Sequence, residues 1–286
     1  MQDLLNDRLF SAPKRPALVK KFKNVKELFL PDDGFIVGDA DLAQADARVV
    51  AWDADDETLK EIFNDKSLDL HTENAKTIFG SCPSKSHPNR KKAKAGVHAV
   101  NYHVYPQTLA KALGVTVLEA EYFIRRWFEA HPKIKAWHDR IYHEMMVEKV
   151  IRNAFGFEKK FFDVRDKPTA LSEALAWIPQ STVAIIINKV WQSIEERLDP
   201  SDIYVTMQTH DSINFEIRKE AVSKTALQLE ECFNVIVPYS DPLHIPGTLG
   251  LGTDYGNLID TTWDGWLIDP ETGLATQEKS RWWQAA

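Results

Sequence analysis

Two aspartates far apart in the chain stand where a metal-dependent phosphoryl-transfer site would put them. Asp41 ends an apolar, strand-like run, Gly34-Phe35-Ile36-Val37-Gly38-Asp39-Ala40-Asp41, and Asp211 sits at the bend of a hairpin-like stretch running from Tyr204 to Glu216. Carboxylates at strand ends suit hard cations, which take oxygen ligands. Between them in sequence, Arg90, Lys94, His98 and Tyr102 recur every four residues, so a helix places them in one stripe. A basic stripe of this kind can hold a polyphosphate. Taken singly, each Asp is more often a turn cap and the stripe more often a solvated face. Their combination reads as a nucleotidyltransferase.

The elements that must position these residues follow from periodicity. The strand ending at Asp41 leads into helical patterns over 43–52, 57–64 and 71–79, then a Ser- and Pro-rich loop over 81–88. Residues 89–105 read as a helix that Pro88 opens and Pro106 closes, with Ala93, Val97, Val100 and Val104 as its docking stripe. Residues 118–146 read as one or two helices broken near Pro132. Strand-like patches lie around Phe155-Gly156-Phe157, and 171–198 reads as mostly helical with an irregularity at Pro179. The strand pair around Asp211, a helix over 220–233 and a strand within 245–255 complete the pattern. Helices flanking a few antiparallel strands favour α+β over a doubly wound sheet.

At 286 residues with 44% hydrophobic content, the chain can bury a substantial core in one large domain or two smaller ones. The net charge of −7 would fail a simple screen for nucleic-acid binders, but lysines cluster over 14–26 and 85–94 and acids over 53–61 and 260–271. Two cysteines, Cys82 and Cys232, argue against a disulfide framework. Cys82 and His87, without a second ligand pair, make a poor zinc site. No signal-like amino terminus and no stretch approaching a membrane span is read, so the expectation is a soluble cytoplasmic protein with no membrane contact.

Five segments resemble the motifs of family A DNA polymerases, in the family's order. Asp41-Leu42-Ala43-Gln44-Ala45-Asp46-Ala47-Arg48 is similar to motif A, and Arg90-x-x-x-Lys94-x-x-x-His98-x-x-x-Tyr102 to motif B. His210-Asp211-Ser212 resembles motif C, Asp69-Leu70-His71 the segment after motif A, and Pro179-Gln180-Ser181-Thr182 the segment before motif C. The resemblance covers roughly residues 30–258. It implies a right-hand palm of antiparallel sheet with helices plus helical fingers, with the thumb and exonuclease domains absent. The implied division is a basic lead-in over 1–33, palm over 34–66, fingers over 67–168, palm again over 169–258 and a Trp-rich tail over 259–286. The implied activity is template-directed DNA synthesis from deoxynucleoside triphosphates on a primer-template, with two magnesium ions.

The resemblance also implies roles. Asp41, Asp211 and the backbone carbonyl of Leu42 would hold the two ions, which clamp the attacking and leaving oxygens about 3.5–4 Å apart. Arg90, Lys94 and His71 would take the incoming triphosphate, with Lys94 also protonating the leaving pyrophosphate. His98 stands where the family carries Phe or Tyr against the nucleotide, and Tyr102 beside the templating base. Asp46 replaces a Glu that excludes a 2′-hydroxyl. Gln180 and His210 would touch the minor groove and the primer end, since a Gln there meets acceptors common to all base pairs. Arg48 is as consistent with a structural ion pair as with a site role.

Departures accompany the match. Ser212 replaces the acid after the motif C Asp, Ala99 and His103 stand where the family often has Gly, and Phe155-Gly156-Phe157-Glu158 keeps a Gly but loses adjacent arginines, with Lys159 and Lys160 as substitutes. They suggest a divergent branch of phage type. The short lead-in leaves three readings open, half of a split polymerase, a truncated piece or a minimal enzyme, and the first of them predicts a separate chain supplying a thumb or exonuclease. Trp263, Trp266, Trp282 and Trp283 either pack on the palm or dock a partner. Two alternatives stay open: RNA synthesis by a single-subunit RNA polymerase-like enzyme, and a non-catalytic DNA-binding or assembly subunit of a replication complex.

Overall fold

The computed structural model describes residues 24–162, 168–264, 266–269 and 275–279. The chain enters through a short 3-10 turn and forms β1 (Phe35–Leu42), then α1 (Ala45–Asp53), α2 (Glu57–Asn64), α3 (Leu70–Phe79) and α4 (Pro88–Asn101). α5 (Pro106–Leu113), α6 (Val117–Ala130) and α7 (Pro132–His143) follow, the last running into a π turn, and then the hairpin β2 (Val150–Arg152) and β3 (Glu158–Lys160). The long α8 (Pro168–Arg197) leads to β4 (Ile203–Thr209), β5 (Ser212–Arg218) and α9 (Val222–Cys232). Two short pieces, β6 (Ile236–Val237) and β7 (Leu243–His244), precede β8 (Gly247–Gly252), β9 (Ile259–Thr261), β10 (Trp266–Ile268) and β11 (Ala275–Lys279). Helices with an antiparallel sheet are the α+β class expected from the sequence.

Two compact units emerge. The first comprises residues 1–42, 190–233 and 246–286, and the second 43–189 and 234–245. The first is built on a seven-stranded sheet in the order β11-β10-β9-β8-β1-β5-β4, with every described pairing antiparallel. Because strand side chains alternate, register decides what each face carries. Ile36, Ala40 and Leu42 share the buried face with Ile213, Phe215, Ile217, Leu249 and Leu251. Asp39 and Asp41 point the other way, level with Asn214 and Ser212.

Gly38, central in β1, lies under the Phe215 ring, where an added Cβ would come within 2.3 Å of ring atoms. Gly38→Ala should therefore destabilise the sheet by roughly 1–3 kcal/mol through overpacking. Chemical denaturation checks this, and Phe215→Leu in the same background should recover part of the loss.

The helical unit shows its sequence signals plainly. Asp56 and Asp69 cap α2 and α3 by accepting from Leu59 and Thr72 N–H groups, and Thr116 with Glu119 forms a capping box on α6. Gly96 lets α4 meet α6, since a Cβ there would fall 2.4 Å from the Phe123 ring.

Several expectations are corrected. α4 stops at Asn101, so Val104 lies outside it: Tyr102 caps the helix and His103 takes a left-handed φ of 59°. The strands expected around Phe155-Gly156-Phe157 are found as β2 and β3, with that tripeptide in the turn between them. The helix expected over 171–198 is found as α8, which runs through Pro179 with the Thr182 hydroxyl bonded back to the Ile178 carbonyl at 2.8 Å. Residues Thr169–Arg197 of that helix are long and apolar enough to cross a membrane by length and composition, contrary to the sequence reading. Its buried residues include Leu175, Ile178, Val183, Ile186 and Ile187, the pattern of a core helix.

Within the segment expected as a tail, β9, β10 and β11 extend the sheet beyond β8. Trp263 packs on Phe233 with ring centroids 5.6 Å apart and donates Nε1–H to the Gly247 carbonyl at 3.3 Å. Trp282, Trp283 and the lysines over 14–23 lie outside the described residues.

Candidate active site

In the sheet unit, the site is made by a tight hairpin beside a strand end. Thr209 pairs with Ser212, so His210 and Asp211 alone form the bend, with His210 in the left-handed region at φ 48°. The Leu42 N–H donates to the Asp211 carbonyl at 2.9 Å, and Asp41 pairs with Ser212 across the strands. This sets Asp211 beside Asp41, near enough for its charge to act on the Asp41 carboxyl. Burial, with the Asp211 and Asp39 charges, pushes the Asp41 carboxyl up to about 7, against a small opposing effect of His210.

Asp39 is a residue the sequence reading passed over. It lies two residues before Asp41 and therefore on the same strand face. Its carboxyl is held above the usual range by burial, against Ser212, Lys26 and Asn214, and its Oδ1 is buried with no partner. Among the described residues, no group of three or more His, Cys, Asp or Glu side chains is placed to hold a metal ion. The donor set is two neighbouring carboxylates whose charges oppose each other. That fits magnesium, which takes one or two carboxylates and keeps water and phosphate oxygens as its other ligands. Asp41, Asp211 and the Leu42 carbonyl are the groups that would hold it.

The helical unit carries the second group. Arg90, in the first turn of α4, is clamped by Asp69: Nε and one terminal nitrogen each donate to a carboxylate oxygen at 2.8 Å. Hydrogen bonding from Arg90 holds the Asp69 carboxyl far below its ordinary range. Asp69 thus caps α3 and orients Arg90 at once, a pairing across 21 residues that motif spacing does not reveal. Lys94, a turn further along α4, is exposed.

His71 is half-buried, its Nδ1 has no partner, and burial with the Lys94 and Arg90 charges lowers it to about 4. It is neutral at pH 7. The structure therefore brings Arg90, Lys94 and His71 together.

His98 is exposed and meets Tyr102 edge-on, with centroids 4.8 Å apart. The Tyr102 hydroxyl donates to Asp46 Oδ2 at 3.1 Å, and burial with the Asp46 charge pushes the phenol far up. Gln180 is exposed on α8. Arg48 donates Nε–H to the Ala43 carbonyl at 3.0 Å and lies 4.6 Å over the Phe63 ring, which accounts for it structurally.

A second histidine sets a pH limit on this unit. His138 is buried, its Nε2 is 3.0 Å from the Asn101 carbonyl, and burial lowers it to about 4. The unfolded chain protonates near 6.5, so between 6.5 and 4 it binds more protons than the native state and stability falls as pH drops. The loss should reach about 2–3 kcal/mol near pH 4. Urea denaturation at pH 7 and 4.5 checks it, and His138→Phe should reduce the dependence, leaving the part that His71 contributes.

The profile of DNA polymerase family A matches residues 13–255, most of the chain. The chain belongs to DNA polymerase family A. It is 27% identical over 239 residues to the thermostable DNA polymerase I of Thermus filiformis, covering 82% of this chain and 28% of that protein. It is 24% identical over 247 residues to DNA polymerase I of Pseudomonas aeruginosa, covering 84% and 27%. The chain thus spans little more than a quarter of the length of these curated relatives. The fold is similar to that of the POL domain of Pol1 from M. smegmatis, solved with DNA primer-template and dNTP, at a TM-score of 0.70 and 20% identity. That match covers 81% of this chain and 42% of the other. The palm-and-fingers fold class read from the motifs is the one found.

Proposed function

We propose that this chain carries out template-directed DNA synthesis, adding deoxynucleotides to a primer 3′-hydroxyl with release of pyrophosphate. The observation that carries the reading is the placing of Asp211 beside Asp41, made by the two-residue hairpin, the pairing of Asp41 with Ser212 and the bond from the Leu42 N–H to the Asp211 carbonyl. In the reaction, the primer oxygen bonds to the α-phosphorus and the bond from that phosphorus to its bridging oxygen breaks. Pyrophosphate leaves with a proton from Lys94, and the hydroxyl proton passes to solvent. Asp41 and Asp211 would hold magnesium, which would supply positive charge against the attacking and leaving oxygens.

Arg90, held in one plane by Asp69, presents its remaining N–H groups to the triphosphate, with neutral His71 and Lys94 beside it. His98 takes the sugar and base, Tyr102 the templating position, and Gln180 and His210 the minor groove and primer end.

The Tyr102–Asp46 hydrogen bond supports Asp46 as the group that excludes a 2′-hydroxyl. Asp46→Ala should lower discrimination against ribonucleotides by roughly 10-fold, the scale of a small steric change in a pocket. Single-nucleotide insertion with matched dNTP and NTP checks this, and unchanged selectivity would remove Asp46 from the role.

The deciding experiment is primer extension by this chain with magnesium and either dNTPs or NTPs, beside Asp211→Ala. Extension with dNTPs that the variant loses is the expected result. Extension with NTPs alone would favour RNA synthesis. A folded chain that binds primer-template and never extends it, even with candidate partner chains, would leave the assembly role. Extension restored by a second chain would identify the two-chain enzyme.

A further inference from the structure

We infer that Asn101 is a positioning residue for sugar selection: pinned by side chains of α6 and α7, it fixes Tyr102 at the Asp46 carboxylate. Asn101 is the last residue of α4 and is buried. The end of a helix leaves its last carbonyls without intrahelical donors. The Asn101 carbonyl lies 3.0 Å from His138 Nε2 on α7. A carbonyl only accepts, so Nε2 carries the proton and donates. The Asn101 side chain is held as well, its Oδ1 accepting from Trp127 Nε1–H of α6 at 3.0 Å. Trp127 and His138 are themselves buried, so both bonds are shielded from water.

The two pins lead back to the helix that carries Asp46. Trp137, the neighbour of His138 on α7, is buried and donates Nε1–H to Asp53 Oδ2 at 2.7 Å. Asp53 is the last residue of α1, and Asp46 stands in its first turn. The two acids are about 10.5 Å apart along the helix, at 1.5 Å per residue. Trp127 packs on His131 with ring centroids 4.1 Å apart, and His131 Nδ1 lies 3.1 Å from the Asp56 carboxylate that caps α2. The contacts close a circuit: Asp46 to Tyr102, Tyr102 to Asn101 along the chain, Asn101 to α7, and α7 through Asp53 back to α1.

The circuit sets where Tyr102 points. Beyond Asn101 the regular helix stops, and His103 turns the chain with a left-handed φ of 59°. The bonds to Asn101 supply the direction that the helix no longer gives. A leucine of similar size would fill the space, but it would leave the Trp127 N–H buried without an acceptor and α4 held at the backbone alone. The inference rests on the proposed function for the use of the Tyr102–Asp46 pair, discrimination against a 2′-hydroxyl.

The test reads nucleotide affinity without turnover. The whole chain is mixed with a primer-template whose primer ends in a dideoxynucleotide, and calorimetry gives the affinity for the next matched dNTP and for the corresponding NTP. The unaltered chain should prefer the dNTP. Asn101→Leu should lower that preference roughly 3- to 10-fold, the worth of one hydrogen bond, and Trp127→Phe should do the same. Each single change leaves a buried group unpaired, so circular dichroism follows folding. The Asn101→Leu, Trp127→Phe double variant removes both partners and should recover stability. Its preference should stay as low as in the single variants. In an Asp46→Ala background, Asn101→Leu should lower the preference no further, because the pin acts through that carboxylate. A preference restored along with stability in the double variant would make the bond a structural one and overturn the inference. Equal loss of dNTP and NTP affinity in Asn101→Leu, or a further drop when it is added to Asp46→Ala, would do the same. Variants that keep the dNTP preference of the unaltered chain would overturn this inference alone, whereas an unaltered chain that binds neither nucleotide would overturn the proposed function and the inference with it.

Discussion

Asp211→Asn is expected to abolish nucleotide addition while making the cation-free protein more stable. The loss should be about three orders of magnitude or more, because cation stabilisation of transition-state charge is worth several kcal/mol and each 1.36 kcal/mol is tenfold in rate. The gain follows from the same geometry. The Asp41 carboxyl is held at about 7 by burial, by Asp211 and by Asp39, so its ionised form is penalised in the native state. An acid whose folded pKa lies above the unfolded value binds more protons when folded. Stability therefore falls as pH rises from about 4 to 7, and the penalty is complete above 7.

An Asn at position 211 removes one of the opposing charges, and Asp41→Asn removes the titrating group itself. Because the carboxyls are only part-buried, solvent screening reduces the gain to about 1–2 kcal/mol. In a chain of this size that is roughly 2–6 °C in Tm. Thermal melts in chelator at pH 5 and pH 8 check it: the variants should exceed the unaltered protein at pH 8, with the gap shrinking at pH 5. A lower Tm for both variants at pH 8 would mean the two carboxylates are not the strained pair described.

This coupling of loss and gain explains what could and could not be read before the structure. Asp41 and Asp211 were legible because strand alternation and a two-residue bend are local patterns, each with its own sequence signature. The basic stripe of α4 was legible for the same reason. Asp39 carried a signal, since i and i+2 share a strand face, but an acid beside an obvious candidate reads as its neighbour rather than as a separate pressure on it. The Asp69–Arg90 clamp was not legible, because one residue caps α3 and the other opens α4, and only packing sets their side chains in one plane.

Other misses have similar causes. Strands around 155–157 were legible, but not that Gly156 and the double acceptance by Asn153 make the aromatic run itself their turn. Pro179 marked a helix with a lost ladder bond, but not the back-bond from the Thr182 hydroxyl to the Ile178 carbonyl. β9 to β11 were hidden because short strands added to a sheet edge owe their form to pairing with β8 rather than to their own composition.

Lys94→Ala is expected to lower kcat by about 10²- to 10⁴-fold, the range of a lost general acid. Lys94 is exposed on α4 and makes no ion pair among those described, so its loss should change stability by no more than about 0.5 kcal/mol. Arg90 differs, since Asp69 already fixes its guanidinium and its replacement would disturb packing as well as charge. Lys94→Arg separates the two duties assigned to the amine. Arginine keeps the positive charge for the triphosphate but does not release a proton in proteins. The KM for dNTP should therefore stay near that of the unaltered enzyme while kcat stays low. A dNTP analogue with a less basic leaving group should recover much of the lost rate in both variants, because that group needs less protonation. His71, neutral and adjacent, is the competing donor, and a His71→Gln variant that fails to show the same leaving-group rescue assigns the proton to Lys94. A raised KM with unchanged kcat in Lys94→Ala would take Lys94 out of proton transfer and leave it a phosphate contact.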